Sequence, residues 1–247
     1  MTGRKTLFSG VLLIAGLTVL FATPSGEDKA ARSFLPSIAG VSASFGLGCG
    51  MGEGISPAKE ALLETGSDSA KIAGAESWAA EVFALWPVSG DFGVGLDLSL
   101  SPLAFALLGF DAARNPAEGV RYSYLSLNIA PLASYSRDFH TGLLSVMAGP
   151  LLGIQLTDGQ VTGKTEDAEY RYSVPLGSML RASLGGMLKA QYSVRLGPGF
   201  LDLGILLTYH YSSVRGYLTD DLVPVHILTP FITAGYSFRE EKNGSKD

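Results

Sequence analysis

Between Tyr170 and Leu196, no lysine or arginine occupies an even-numbered position. The even positions include Tyr170, Tyr172, Val174, Leu176, Leu180, Ala182, Leu184, Leu188, Ala190, Tyr192, Val194 and Leu196. The odd ones include Arg171, Ser173, Arg181, Ser183, Lys189, Gln191, Ser193 and Arg195. Successive side chains of a strand point to opposite faces, so a period of two marks a sheet with one apolar and one polar face. The run is longer than the roughly 3–10 residues of an ordinary strand. It fits a tilted membrane strand of about 9–11 residues that continues above the bilayer.

The same alternation recurs along the chain. Val41, Phe45, Leu47, Cys49 and Met51 alternate with Ser42, Ser44, Gly46, Gly48 and Gly50. Phe92, Val94, Leu96, Leu98 and Leu100 alternate with Gly93, Gly95, Asp97, Ser99 and Ser101. Leu201, Leu203, Ile205, Leu207, Tyr209 and Tyr211 alternate with Asp202, Gly204, Leu206, Thr208 and His210. Eight strands are predicted, over 37–51, 77–88, 92–103, 120–133, 141–157, 170–196, 200–212 and 226–238. The uncharged stretch Thr141–Thr157 is the one that also suits a helical span. It falls short of about 20 residues and holds Gly142, Gly149, Pro150 and Gly153, so a strand is the simpler reading.

The connections alternate in length. Ser89-Gly90-Asp91, Ser134 to His140 and Gly197-Pro198-Gly199 are short, whereas 52–76, 104–119, 158–169 and 213–225 are long. Short turns on one rim and long loops on the other are the pattern of a transmembrane barrel, with both termini on the short-turn side. Trp78 and Trp86 share an apolar face. On a tilted strand they stand roughly 20 Å apart along the membrane normal, close to the apolar band of about 25 Å between two aromatic girdles. Tyr192, Tyr209, Tyr236 and Phe238 are the other expected girdle residues.

Composition agrees. Charged residues make up 17% of the 247, mean hydropathy is +0.26 and formal net charge is −5. About 25% charged is usual for a soluble domain. So apolar a chain is not disordered, and an acidic balance without a basic stripe argues against nucleic acid as a partner. One cysteine, Cys49, and three histidines, His140, His210 and His226, give no multi-cysteine or histidine-rich metal site and point to no cofactor.

Residues 1–22 read as a secretory signal peptide: Arg4 and Lys5, then an apolar stretch to Ala22, then polar residues. Cleavage suits Ala22 or a point as late as residue 31, and an uncleaved anchor helix is the rival reading. The barrel is expected over 32–238, with 239–247 as a polar periplasmic tail.

The closing segment alternates Leu228, Pro230, Ile232, Ala234, Tyr236 and Phe238 and ends Gly235-Tyr236-Ser237-Phe238. This resembles the terminal aromatic strand by which outer-membrane barrels are recognised for insertion, although here Arg239 to Asp247 follow the aromatic. With the leader and eight strands, the chain resembles the small OmpA/OmpX/OmpW-type barrels. OmpW-like is the favoured branch, because no peptidoglycan-binding domain follows the barrel. The resemblance implies the cell outer membrane of a diderm bacterium, with outer-membrane lipid and the barrel-insertion machinery as partners. It also implies passive passage or binding of a small, hydrophobic solute.

By parity, Glu81, Asp97, Arg181, Lys189, Arg195 and Asp202 face inward. An eight-stranded barrel is just wide enough for side chains to fill it, so these charges form either a closed salt-bridge network or a gated polar path. Leu103, Phe105, Leu107, Leu108 and Phe110 make the connection after Pro102 unusually apolar, which suits a hydrophobic entrance, a short helix packed over the barrel or the upper part of the third strand. Two other classes compete. His210-Tyr211-Ser212 resembles the His-x-Ser element of outer-membrane lipid A deacylases, with Asp220 or Asp221 as acidic partner. In that family the catalytic side chains face lipid, whereas His210 and Ser212 share parity with inward Asp202, and no catalytic residue is assigned. The polar loops 52–76 and 158–169 also suit binding of host surface molecules.

Overall fold

The computed structural model describes residues 36–52, 63, 68–113, 116–164, 169–174, 182–215 and 222–239. The expected leader, the 240–247 part of the tail and most of the long loops lie outside the described residues. So does Arg181. The strands are β1 (Ile38–Met51), β2 (Ser69–Ala73), β3 (Ala75–Ser89), β4 (Phe92–Phe110), β5 (Pro116–Phe139), β6 (Gly142–Gln155), β7 (Gly159–Lys164), β8 (Glu169–Val174), β9 (Ala182–Leu196), β10 (Gly199–Arg215) and β11 (Leu222–Arg239).

Eight of them close a ring in the order β4-β3-β1-β11-β10-β9-β6-β5, shut by β4–β5 pairing. Every pairing is antiparallel. The fold is an eight-stranded antiparallel barrel. Following the ladder once round from Ser42, through Glu81, Ser99, Asn128, Gly153 and Ser183, returns to β1 at Gly52, ten residues higher. With ordinary strand spacings that stagger tilts the strands by about 40°.

Several boundaries differ from expectation. Residues 134–139 belong to β5, so that turn shrinks to His140 and Thr141. The supposed loop 104–119 is largely strand: β4 runs to Phe110 and β5 starts at Pro116. The loops 52–76 and 158–169 each hold a further strand, β2 and β7, that continues the wall upward along β4 and β5. Thr141–Thr157 holds a strand, β6, and no helix. Gly90 and Gly197 open two of the tight turns at φ 54° and 64°, a left-handed conformation that side chains disfavour and glycine adopts freely.

Burial is inverted relative to a soluble protein. Ile232 is 76% exposed, Phe45 71% and Ile205 65%, whereas Glu81, His210 and Ser44 are fully buried. A closed ring that turns aliphatic side chains outward and polar ones inward is stable when its surroundings are hydrocarbon. The girdle residues all point outward. Trp86, Tyr192, Tyr236 and Phe238 lie toward the short-turn rim, Trp78 and Tyr209 toward the loops. Tyr236 donates to the Leu196 carbonyl (2.9 Å), and the Tyr192 and Thr141 hydroxyls are paired.

Among the described residues, the widest gap in the wall's pairing lies between β3 and β4. β3 pairs with β4 up to Ala80↔Leu100, and β2 resumes at Ala73↔Ala106. Between them β4 tucks inward beneath β3 and β1. Ser77 donates to the Pro102 carbonyl (2.8 Å), and Leu103, Ala104 and Phe105 are buried in succession. The glycines of β1 make room for this dent. A Cβ on Gly50 would lie 2.7 Å from the Phe105 ring, and one on Gly48 would meet the Ala104 carbonyl oxygen. The small face of β1 is thus the seat of the β4 dent.

Candidate functional site: the filled lumen

The inward side chains fall into three layers. The lowest is charged. On β3, Glu81 stands between the girdle residues Trp78 and Trp86, deep in the membrane span. Its Oε2 accepts from the Lys189 ammonium on β9 (2.5 Å) and from the Ser42 hydroxyl on β1 (3.0 Å); its Oε1 accepts from Ser44 (2.5 Å). Lys189 also donates to the Ser42 hydroxyl (3.0 Å), and its ammonium sits 4.7 Å from the centre of the Phe83 ring. Buried ions are tolerated when paired and hydrogen-bonded, and this pair has both.

Asp97 and Asp202 are also buried in the lumen, within electrostatic reach of Lys189, and none of their carboxylate oxygens has a hydrogen-bond partner among the described residues. Arg195 faces inward by parity, but near the turn at Gly197-Pro198 it is exposed at the rim. Of the expected network, Glu81 and Lys189 form a direct ion pair, with Asp97 and Asp202 beside them. Packed among these groups are Phe83, Leu85, Ala130, Leu132, Met147, Leu151, Met187, Leu206 and Phe231.

Above lies a neutral polar belt. Asn128 donates to Ser101 (2.9 Å) and accepts from Ser126 (2.9 Å). His210 Nδ1 bonds the Ser183 hydroxyl (3.1 Å). His210 and Ser212 both face inward, and Ser212 accepts from the Tyr124 hydroxyl (3.2 Å). The His-x-Ser pair is thus split between two partners inside the barrel and faces no lipid.

The top layer is apolar: Leu103, Phe105, Leu107, Tyr124, Val225 and Ile227 pack into one cluster. Leu103, Phe105 and Leu107 point into the lumen, while Leu108 and Phe110 take the outward parity of β4 and are partly exposed. The five residues expected at a hydrophobic entrance thus lie on a strand and divide between the two sides of the wall. Phe105 stacks on Tyr122, ring centres 4.9 Å apart.

Sequence reading missed Ser42, Ser44 and Phe83 as partners of the ion pair, and Tyr124, Val225 and Ile227 as the far wall of the apolar layer. The serines were findable, since both share the inward parity of β1. The far wall was not, because Val225 and Ile227 lie about 120 residues away in the chain and Tyr124 on the opposite strand of the β4–β5 pair.

At the short-turn end the barrel opens into a vestibule of about 670 Å³ lined by Asp91, Ser134, Ser136, Asp138 and Arg239 among others. Arg239 lies 3.8 Å over the Phe200 ring.

No family model matches the sequence, and no curated protein does. Solved structures do match in shape. The attachment invasion locus protein Ail of Yersinia pestis, solved with the heparin analogue sucrose octasulfate, is 12% identical over 81% of this chain and 98% of its own, with a TM-score of 0.33. Neisserial surface protein A is 12% identical over 82% and 97%, with a TM-score of 0.35. OprG of Pseudomonas aeruginosa is 11% identical over 83% and 97%, with a TM-score of 0.39. The barrel architecture itself stands on the closed ring of strand pairings described above.

Proposed function

We propose that this outer-membrane barrel binds small apolar solutes at its loop-side mouth and passes them sideways into the membrane, rather than conducting ions along its axis. The observation that carries this reading is one juxtaposition. The apolar layer at the top of the lumen lies beside the widest gap in the described wall, Gly74–Ala79 against Ser101–Phe105, where β3 and β4 share no ladder. A solute seated among Phe105, Leu107, Val225 and Ile227 meets apolar walls. To go deeper it would displace the Asn128 and His210 hydrogen bonds and then a buried ion pair, at a cost of several kcal/mol. To leave sideways it has to part strands that share no ladder there and are joined by the single Ser77–Pro102 hydrogen bond described above.

The test is a removable bolt. Ala79 and Ser101 lie one step beyond the last ladder pair, Ala80↔Leu100. In a Cys49→Ser background, Ala79→Cys with Ser101→Cys allows a disulfide across the seam. Transfer of N-phenylnaphthylamine into outer-membrane vesicles is expected to fall to the protein-free rate when the bridge is oxidised, and to recover on reduction. Transfer that ignores the bridge overturns lateral exit.

A further inference from the structure

A second feature lies on the outside of the barrel, away from that seam. Pro230 of β11 has no N–H to give, and the β1–β11 ladder skips there: Gly46 pairs with Phe231 and Cys49 with Leu228, with nothing between. Along this interruption runs a groove of about 600 Å³. Its walls are Phe45, Leu47, Leu188, Ile205, Leu207 and Ile232, and it lies at the depth of the apolar belt.

The groove has a polar head. On the outward face, β10 and β11 pair Ile205↔Ile232, Leu207↔Pro230, Tyr209↔Leu228 and Tyr211↔His226. The column changes from aliphatic to hydrogen-bonding over six residues, about 20 Å along the strand. Its upper end stands at and above the loop-side girdle. There the Tyr209 hydroxyl lies 2.5 Å from His226 Nδ1, and the Tyr211 ring is tilted against the imidazole at 5.3 Å. Tyr209 and Tyr211 remain more than one-third exposed. With Tyr209 donating to Nδ1, the imidazole carries its hydrogen on Nε2 and can donate in turn. Aromatic side chains with polar tips at headgroup level, above a hydrocarbon-lined groove, are complementary to one molecule: a lipid with its head up and a chain down.

We infer that this surface is a binding site for a single phosphate-headed lipid of the loop-side leaflet. One acyl chain lies in the groove, and the phosphate accepts hydrogen bonds from His226 Nε2–H, whose tautomer Tyr209 holds, and from the Tyr211 hydroxyl. The site is independent of the solute path, because it faces out from the β1–β11 seam and the path exits between β3 and β4.

The test is native mass spectrometry of the delipidated full-length protein as produced in the outer membrane, titrated with dilauroyl phosphatidate or dilauroylglycerol. One phosphatidate is expected to stay bound per barrel. Tyr211→Phe with His226→Ala is expected to weaken phosphatidate about fivefold to tenfold, the worth of one or two hydrogen bonds, and to leave dilauroylglycerol unchanged. Ile205→Trp, which fills the groove, is expected to weaken both lipids. Leu98→Trp, outward on β4, controls for added bulk and is expected to weaken neither. Far-ultraviolet circular dichroism checks that each variant keeps its sheet. Equal binding by parent and groove variants overturns the site, as does equal weakening by Leu98→Trp. A barrel dimer lost in Ile205→Trp, with lipid binding unchanged, overturns it in favour of a second copy of the chain.

Discussion

Lys189 and Glu81 are 108 residues apart in the chain and 2.5 Å apart in the lumen. Breaking such a pair strands a buried charge, at about 3–5 kcal/mol, whereas replacing both partners with neutral groups is far milder. Lys189→Met is therefore expected to lower the unfolding free energy by about that amount, and Glu81→Gln in the same chain to restore most of it. Urea titration in lipid vesicles checks this; two independent, additive losses would contradict it. Asp97 is the contrast. Its oxygens lack hydrogen-bond partners among the described residues, and its attraction to Lys189 is offset by its repulsion from Glu81, so an amide of the same shape gives up little. Asp97→Asn is expected to leave stability equal or higher in the same titration, where Glu81→Gln alone lowers it.

At the scale of elements, parity was legible in the sequence and height was not. Period-two alternation put Glu81, Asp97, Lys189 and Asp202 inside and every girdle aromatic outside, because the pleat allows no other arrangement. Which inward charge meets which depends on the ten-residue stagger around the ring, and no single strand carries that information. Arg195 shows the limit: its parity is right, but it sits too near the Gly197 turn to lie in the core. The tops of β4 and β5 were read as loop because Pro102 and runs of small residues mask the alternation. The dent in β4 has a sequence counterpart only in retrospect, in Gly48 and Gly50 of β1. Gly50→Val is expected to push Phe105 outward and cost about 1–3 kcal/mol by overpacking. Unfolding in urea reads the cost, and Tyr122 fluorescence reads the lost stacking on Phe105. A neutral result would mean the dent does not press on β1.

At the scale of the whole molecule, a lumen packed with its own side chains turns a pore into a scaffold. Three layers follow one another along the axis: ions in the membrane's middle, neutral hydrogen bonds above them, and hydrocarbon at the loop-side mouth. The vestibule at the opposite end is lined in part by Asp91, Asp138 and Arg239. Asp97 and Asp202 lack hydrogen-bond partners among the described residues, but packed side chains fill the lumen around them and at the mouth, and a filled lumen gives ions no open path. The outer surface carries the complementary pattern, an aliphatic belt between aromatic girdles.

The most direct measurement is the current through the folded protein in a planar bilayer. The account predicts no discrete conductance steps from barrels shown to be folded by their circular dichroism, both in the parent and in Phe105→Ser. Steps in the parent would contradict a filled lumen and restore an axial path past Glu81 and Lys189.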